Sequence, residues 1–270
     1  MKLSELLKMD LKKPPLYQTN ISFIDNNLGG FELGQIITIS GDSEAGKTKL
    51  LEQILTEVSK GFKCLYFALE FNNYQVWRYF TDKLKNGYIT LEQTENIEII
   101  TTEETDTEIE AIIGKIKYHI AENKVTFVAI DSAINLYHNS LSGEQETTEI
   151  FRLLQKLAIA NNILLMVIAQ SSKEENKDNR VGIFGSQKAK HYVNMMLHIF
   201  FDEEKEERKI RFAKNKQNGF RKTIDVWLNP KTLTFDTWLG EYKIKQDPFN
   251  DSDVVLAPKE WKSGLEKFME

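Results

Sequence analysis

The chain has 270 residues, of which 41% are apolar and 28% are charged, and its formal net charge is −5. This length and composition predict a globular protein with one large α/β domain or two small domains. The acidic balance argues against a protein that coats DNA non-specifically, so any contact with nucleic acid must be local. A single cysteine, Cys64, excludes a disulfide framework and a cysteine zinc site.

The ends of the chain differ in pattern from its middle. Residues 1–13 carry mixed charges without the apolar stretch of a signal peptide, and the longest apolar run, Ile163–Ala169, is too short to cross a bilayer. We therefore expect a cytoplasmic protein that makes no membrane contact. Pro14-Pro15 marks an early boundary. The predicted division is an N-terminal arm at 1–15, a main domain at 16–240 and a C-terminal tail at 241–270.

Between these ends, apolar runs of strand length alternate with segments of helical periodicity. Buried strands are predicted at Ile36–Ser40, Cys64–Leu69, Ile97–Thr101, Val125–Ile130 and Ile163–Ala169. Helices are predicted at Lys47–Ser59, Tyr74–Leu84, Ile109–Ile120 and Ile150–Leu157. This alternation predicts a mostly parallel sheet with helices on both faces. An antiparallel extension is then predicted from consecutive strands at Met196–Phe201, Lys209–Lys216, Thr223–Leu228 and Leu233–Asp236.

The strongest functional motif fits the P-loop pattern G-x-x-x-x-G-K-[ST] between the first predicted strand and helix. Its residues are Gly41, Asp42, Ser43, Glu44, Ala45, Gly46, Lys47 and Thr48. Glycines let the backbone wrap phosphates, and the following helix N-terminus favours an anion. Lys47 would reach the β- and γ-phosphates and Thr48 would hold Mg²⁺, so the motif predicts that ATP and Mg²⁺ are bound. The alternative is a chance glycine-rich turn, and Asp42 and Glu44 should weaken phosphate binding unless they point away.

Polar side chains follow three of the predicted strands, where ligands bind in open α/β sheets. Asp131 fits a carboxylate that holds the metal through its water shell, and Glu70 fits a base that orients the attacking water. Gln170 is both donor and acceptor and could sense the γ-phosphate. For each residue alone, a solvated strand end is the competing interpretation.

Several segments beyond the P-loop resemble RecA-fold ATPases, over a region that runs from about Thr19 to Phe235. Thr19–Gly30 is similar to the entry to that fold. Ala68–Phe71 resembles the acidic motif of DnaB-type replicative helicases, whereas Ile130–Ala133 is closer to RecA and its relatives. The resemblance implies a RecA-like P-loop core closest to DnaB-type ring-helicase motors, with RecA-like features.

A further segment resembles the region after the second DNA loop of phage and bacterial ring helicases. It consists of Gly185-Ser186 followed by Lys190 and His191. The family usually has an aspartate at the position aligned with Asn194, so this part of the resemblance departs from the family pattern.

Lys214 and Lys216 lie two residues apart at the end of a predicted strand, which places them on one face. Two adjacent ammonium groups repel each other and suggest that an anion binds between them, although a solvated strand edge is the simpler interpretation. The Lys-Asn-Lys sequence resembles the RecA motif, and the following Asn218-Gly219 resembles DnaB-type helicases. In both families these residues reach the γ-phosphate of the adjacent subunit, which implies a homo-oligomer, either a hexamer-like ring or a filament.

The resemblance also implies that DNA is contacted by two loops, Asn135–Glu149 and Ser171–Phe184. The first loop has no Lys or Arg and three glutamates, at 144, 146 and 149. The basic residues of the second loop are Lys173, Lys177 and Arg180. Acidic neighbours offset them, so charge supports DNA binding only weakly. Further candidate contacts are Tyr137, Phe184, Lys188, Lys190, Arg221 and Lys222.

Three functions remain open at this point. The first is a DnaB-like helicase that translocates on single-stranded DNA, favoured by Glu70 after Ala-Leu and by Gly185-Ser186. The second is a RecA-like recombination or annealing-partner ATPase, favoured by the Ile-Asp-Ser-Ala and Lys-Asn-Lys motifs. The third is a KaiC-like ATPase that acts on protein partners, favoured by the weakly charged loops and the acidic balance.

Overall fold

Nine strands form one sheet in a computed structural model of the chain, which describes residues 3–6, 16–170, 183 and 186–237. They are β1 (Ile36–Gly41), β2 (Cys64–Ala68), β3 (Ile97–Thr101), β4 (Phe127–Asp131), β5 (Leu164–Ile168), β6 (Met195–Asp202), β7 (Glu207–Asn215), β8 (Thr223–Leu228) and β9 (Phe235–Thr237). Their order is β3-β2-β4-β5-β1-β6-β7-β8-β9. Pairing is parallel from β3 to β6 and antiparallel from β6 to β9, which confirms the predicted parallel core and antiparallel extension.

Helices cover both faces of this sheet, as predicted. The described helices are α1 (Leu3–Leu6), α2 (Ser22–Leu28), α3 (Lys47–Val58), α4 (Asn73–Lys85), α5 (Leu91–Thr94), α6 (Ile109–Asn123) and α7 (Gly143–Asn161), of which α1 has no described contact with the sheet. The apolar residues of α2 and α3 belong to one buried cluster, and those of α6 and α7 belong to a second cluster on the opposite face. Two short 3-10 turns are present, Ala133–Asn135 between β4 and α7 and Ala189–His191 between β5 and β6.

The continuous apolar runs are explained by burial on both faces. In β2, Cys64, Tyr66 and Ala68 face the cluster of α3, whereas Leu65 and Phe67 face the cluster of α6 and α7. Successive side chains of a strand point to opposite faces, so both sets must be apolar when both faces are covered. The sheet therefore packs against a separate hydrophobic core on each of its two faces.

The predicted strands agree closely with the observed ones. Ile97–Thr101 and Thr223–Leu228 match at both ends, and the other predicted strands begin and end within two residues of the observed positions. The short helices α2 and α5 were not predicted, because neither is long enough to repeat an apolar face.

A carboxylate, that of Asp25, fixes the backbone of the segment before β1. Asp25 accepts hydrogen bonds from the backbone N–H of Thr19, at 3.0 Å to each oxygen, and from that of Asn20 at 2.7 Å. A Cβ on Gly30, whose φ is +108°, would lie 2.5 Å from the carbonyl oxygen of Tyr17. These contacts give a physical reason for Asp25 and Gly30 in the segment Thr19–Gly30.

The predicted arm and tail fall largely outside the described residues. Only Leu3–Leu6 of the arm is described, and residues 238–270 are not. The division at 1–15, 16–240 and 241–270 therefore stays a prediction. Within the described part of the chain, no helix combines the length and apolar character needed to span a membrane.

His198 occupies the middle of the sheet, where β6 pairs with β1 opposite Ser40. It is fully buried, and its Nδ1 lies 3.0 Å from the Ser40 hydroxyl. Its Nε2 has no hydrogen-bond partner among the residues that the structure describes. Burial lowers the pKa of His198 from 6.5 to about 4, so the folded protein holds this imidazole neutral.

We predict that acidification from pH 6.5 towards pH 4 lowers the free energy of unfolding through His198. In this range the unfolded chain takes up a proton that the folded chain does not, which contributes up to roughly 3 kcal/mol. Urea unfolding of the wild type and of His198→Gln across this range measures the contribution. The variant should show a shallower loss of stability on acidification, and equal pH dependence in both proteins would contradict the prediction.

Candidate active site

The P-loop joins β1 to α3, and its backbone requires glycine at both ends. A Cβ on Gly41 would lie 2.4 Å from the carbonyl oxygen of Ile199. Gly46 has a φ of +101°, and a Cβ there would lie 2.7 Å from the ring of Phe235. The neighbouring strand and the antiparallel extension thus fix the loop's course, and α3 begins at Lys47 with its N-terminus next to the loop.

The Lys47 ammonium lies inside the loop. It donates to the carbonyl oxygens of Gly41 at 3.1 Å and Asp42 at 2.6 Å. Burial lowers the pKa of Lys47, and the carboxylates of Asp131, Asp42 and Glu70 partly offset that effect. A cation held in this way, beside a helix N-terminus, is suited to bind a polyanion.

Asp131 is a buried carboxylate at the end of β4, with 1% of its surface exposed. Its Oδ2 accepts hydrogen bonds from the Thr48 hydroxyl at 2.8 Å and from the Tyr66 hydroxyl at 3.4 Å. Burial raises the pKa of Asp131 to about 7, and the charges of Glu70 and Glu52 add to this effect. A hydroxyl and a desolvated carboxylate are oxygen ligands of the type that Mg²⁺ prefers, and a cation would stabilise the charged carboxylate. The pair therefore fits a magnesium site.

Glu70 lies in the turn between β2 and α4 and accepts a hydrogen bond from the Ser132 hydroxyl. The turn is followed at once by α4, whose start is fixed by a capping box between Asn72 and Gln75. Sequence reasoning missed Ser132 as a site residue. Its position directly after Asp131, in a segment already singled out, was the available signal.

The structure brings most of the predicted site residues to one cleft of about 560 Å³, a size typical of small-ligand sites. The predicted residues that line it are Gly41, Asp42, Ser43, Glu44, Gly46, Lys47, Thr48, Glu70, Asp131 and Gln170. Lys49, Ser132, Ile168 and Leu228 complete the lining. Ala45 is fully buried in the core and does not line the cleft.

Lys214 and Lys216 do not line this cleft. Lys214, on β7, donates to the carbonyl of Lys190, and Lys216 donates to the carbonyl of His191 at 3.2 Å. The two side chains lie together, as the two-residue spacing predicts. Burial lowers the pKa of Lys214 to about 8, and the nearby charges of Lys216, Arg221 and Lys190 contribute to the shift.

Ser186 explains part of the segment that resembles ring helicases. Its hydroxyl accepts hydrogen bonds from the backbone N–H groups of Lys188 and Ala189, each at 3.0 Å, and so caps the 3-10 turn. Asn194 holds the start of β1, because its Oδ1 accepts from the backbone N–H of Ile36 at 3.1 Å. This is the position at which the resemblance to ring helicases implies an aspartate.

The first predicted DNA loop is shorter than expected. The prediction that it extends to Glu149 is wrong, since α7 begins at Gly143 and carries all three glutamates. The first turns of α7 have exposed or half-buried polar side chains, so the apolar face begins only at Ile150. Tyr137 is partly exposed and donates to Asp106 at 2.7 Å. Of the second loop, Lys173, Lys177, Arg180 and Phe184 lie outside the described residues.

The sequence profile of the family described as "ATPase: KaiC" matches residues 17–223, which contain every residue of this cleft except Leu228. The chain belongs to the KaiC ATPase family. A curated relative is the DNA repair protein RadA of Campylobacter jejuni, which is 26% identical over 211 residues, covering 74% of this chain and 43% of RadA. The KaiC-family chain thus spans less than half the length of this relative.

Solved structures share the fold of this KaiC-family chain. One solved ATPase domain superposes with a TM-score of 0.69 at 14% identity, covering 87% of this chain and 95% of that domain. A KaiC-like protein from Pyrococcus horikoshii OT3 gives 0.66 at 13% identity, covering 84% of this chain and 100% of that protein. A DnaB-like replicative helicase superposes with a TM-score of 0.67 at 13% identity, covering 87% of this chain and 65% of that helicase chain. These likenesses confirm the RecA-like fold and its similarity to DnaB-type ATPase domains.

We predict that Gly46→Ala weakens ATP binding by roughly tenfold or more. The substitution imposes a positive φ on alanine and drives its Cβ into Phe235, at a cost of roughly 1–3 kcal/mol. Calorimetric titration with ATP, together with the melting temperature, tests this. Gly114→Ala is the matched control, because Gly114 lies on α6 and its Cβ would meet nothing within 4 Å. Unchanged ATP affinity in Gly46→Ala would show that the loop tolerates a side chain there.

Proposed function

We propose that this chain is an oligomeric, DNA-stimulated ATPase that binds Mg²⁺ and ATP in the cleft and translocates on single-stranded DNA as a DnaB-like motor. The observation that carries the proposal is the convergence of a P-loop lysine, a buried carboxylate and an exposed glutamate at one sheet edge. Membership of the KaiC ATPase family supports the ATPase part. The similarity to a DNA repair protein and to a replicative helicase supports the DNA part.

The proposed roles follow from the position of each group. Lys47 would bind the β- and γ-phosphates, while Thr48 and Asp131 would hold Mg²⁺. The metal supplies charge neutralisation on the phosphates. Glu70, oriented by Ser132, accepts a proton from the attacking water, and Gln170 contacts the γ-phosphate at the same sheet edge.

The position of Lys214 and Lys216 supports the proposed oligomer. They lie in a group of cations outside their own cleft, held by carbonyl oxygens of the 3-10 turn. We propose that they act on the nucleotide of the adjacent subunit and stabilise charge on the transferred phosphoryl group. Residues 16–240 would then form the motor domain, and the arm at 1–15 and the tail at 241–270 would flank it.

One observation favours a second candidate function. The first loop has no Lys or Arg, and the net charge is −5, so the surface offers little general attraction for DNA. A KaiC-like ATPase that acts on protein partners would have no need of such attraction. The DNA dependence of the ATPase separates the two functions.

We predict that single-stranded DNA raises the ATPase rate several-fold, which steady-state phosphate release with and without DNA measures. Lys47→Ala should lose nucleotide binding. Glu70→Gln should keep nucleotide binding and lose roughly 100-fold or more in turnover, because an amide cannot accept the proton. Hydrolysis that DNA does not change would refute the DNA part and favour the protein-directed alternative. Robust turnover by Glu70→Gln would place the base elsewhere.

We predict that mixing two inactive variants restores activity. In a mixed oligomer, a Lys216→Ala subunit supplies an intact cleft, and a neighbouring Glu70→Gln subunit supplies an intact Lys216. An equal mixture should therefore recover about a quarter of the wild-type interfaces. ATPase assays on mixed and separate proteins, with mass measured in solution, test this. Lys209→Ala is the control, because Lys209 lies on the same strand but pairs with Asp225 at 3.4 Å. No recovery, with hydrolysis by a wild-type monomer, would refute the shared site.

A further inference from the structure

Tyr66 places a hydroxyl in the interior of the protein, directly behind the candidate metal site. It is the middle residue of β2, with 1% of its surface exposed. In the pairing of β2 with β4, Tyr66 lies opposite Ala129 and Ala68 lies opposite Asp131. Because side chains two residues apart share a face, Tyr66 and Asp131 are diagonal neighbours on the α3 face of the sheet.

The hydroxyl needs a partner at this depth. A phenylalanine would fill the same space, and a buried hydroxyl without a hydrogen bond is costly. Its described partner is Oδ2 of Asp131, at 3.4 Å. The Thr48 hydroxyl donates to the same oxygen at 2.8 Å. Among the described residues no side chain donates to Oδ1 of Asp131, so both donors act on one side of the carboxylate.

A second buried carboxylate, Glu52, lines the same small cavity as Tyr66 but has its own cations. Lys49 donates to Glu52 at 3.0 Å, and the charge of Lys83 also acts on it. The ring of Tyr79 lies 3.9 Å from the Lys49 ammonium and 5.0 Å from that of Lys83. A tyrosine hydroxyl has a single proton to donate, and the described geometry directs it to Asp131.

We infer that Tyr66 is a positioning residue for the metal-binding carboxylate. Its hydroxyl holds Oδ2 of Asp131 in place together with Thr48, so that Oδ1 would be available to Mg²⁺. Groups behind a metal ligand set its orientation, so removing this hydroxyl should weaken metal binding without changing the contacts of the nucleotide with the P-loop. This inference rests on the proposed magnesium-ATP site.

The test compares Tyr66→Phe with Tyr79→Phe, which removes a hydroxyl from the same small cavity without a described contact to Asp131. Binding of a fluorescent ATP analogue is followed while Mg²⁺ is titrated, and again in EDTA. We expect Tyr66→Phe to need roughly tenfold more Mg²⁺ for half-maximal binding, with unchanged affinity in EDTA. Tyr79→Phe should follow the wild-type Mg²⁺ dependence.

A double-variant cycle removes the ambiguity of a general loss of stability. In an Asp131→Asn background, adding Tyr66→Phe should have no further effect on the Mg²⁺ dependence, because a positioning residue acts only through its partner. Additive effects, a wild-type Mg²⁺ dependence in Tyr66→Phe, or an equal shift in Tyr79→Phe would each overturn the inference. If the wild type itself bound the analogue without any dependence on Mg²⁺, the proposed function would fail instead.

Discussion

The burial of one charge, that of Asp131, organises the cleft. A carboxylate with 1% exposure loses most of its hydration, and its pKa rises to about 7 as a result. Such a group is costly unless hydrogen bonds or a cation offset the lost water. Thr48 and Tyr66 supply the hydrogen bonds, and the nearby Lys47 supplies part of the opposite charge. These groups offset only part of the lost hydration, because the pKa of Asp131 remains raised. A divalent cation would stabilise the charged carboxylate further, which suits the site to such an ion.

The antiparallel extension supports the P-loop as much as it extends the sheet. Phe235, on β9, is 2% exposed and fills the space that a side chain at Gly46 would need. Gln53, on α3, both donates to the carbonyl of Phe235 at 3.0 Å and accepts from its N–H at 2.7 Å. These two hydrogen bonds join β9 to α3, the helix that follows the P-loop. A substitution in β9 can therefore alter the backbone of the P-loop through Phe235 and Gln53.

The features that sequence reasoning found are those written in short, contiguous patterns. A strand buried on both faces reads as an apolar run, and a P-loop reads as spaced glycines followed by lysine, so β1 and its loop were accessible from the sequence. Tyr66 and Ser132 acquire their roles only through the pairing of β2 with β4, which no local pattern reveals. The start of α7 was misplaced because its first two turns, residues 143–149, are polar or glycine, so no apolar periodicity marks them.

The cations around Lys214 give a physical reason to expect a neighbour. Carbonyl dipoles hold Lys214 and Lys216, and no ion pair among the residues that the structure describes involves either lysine. Burial and like charges together depress the pKa of Lys214 to about 8, so a bound anion would relieve the repulsion. Lys214 and Lys216 do not line the phosphate cleft of their own chain. A head-to-tail repeat would supply each from the next copy, and its rotation would decide between a ring and a filament.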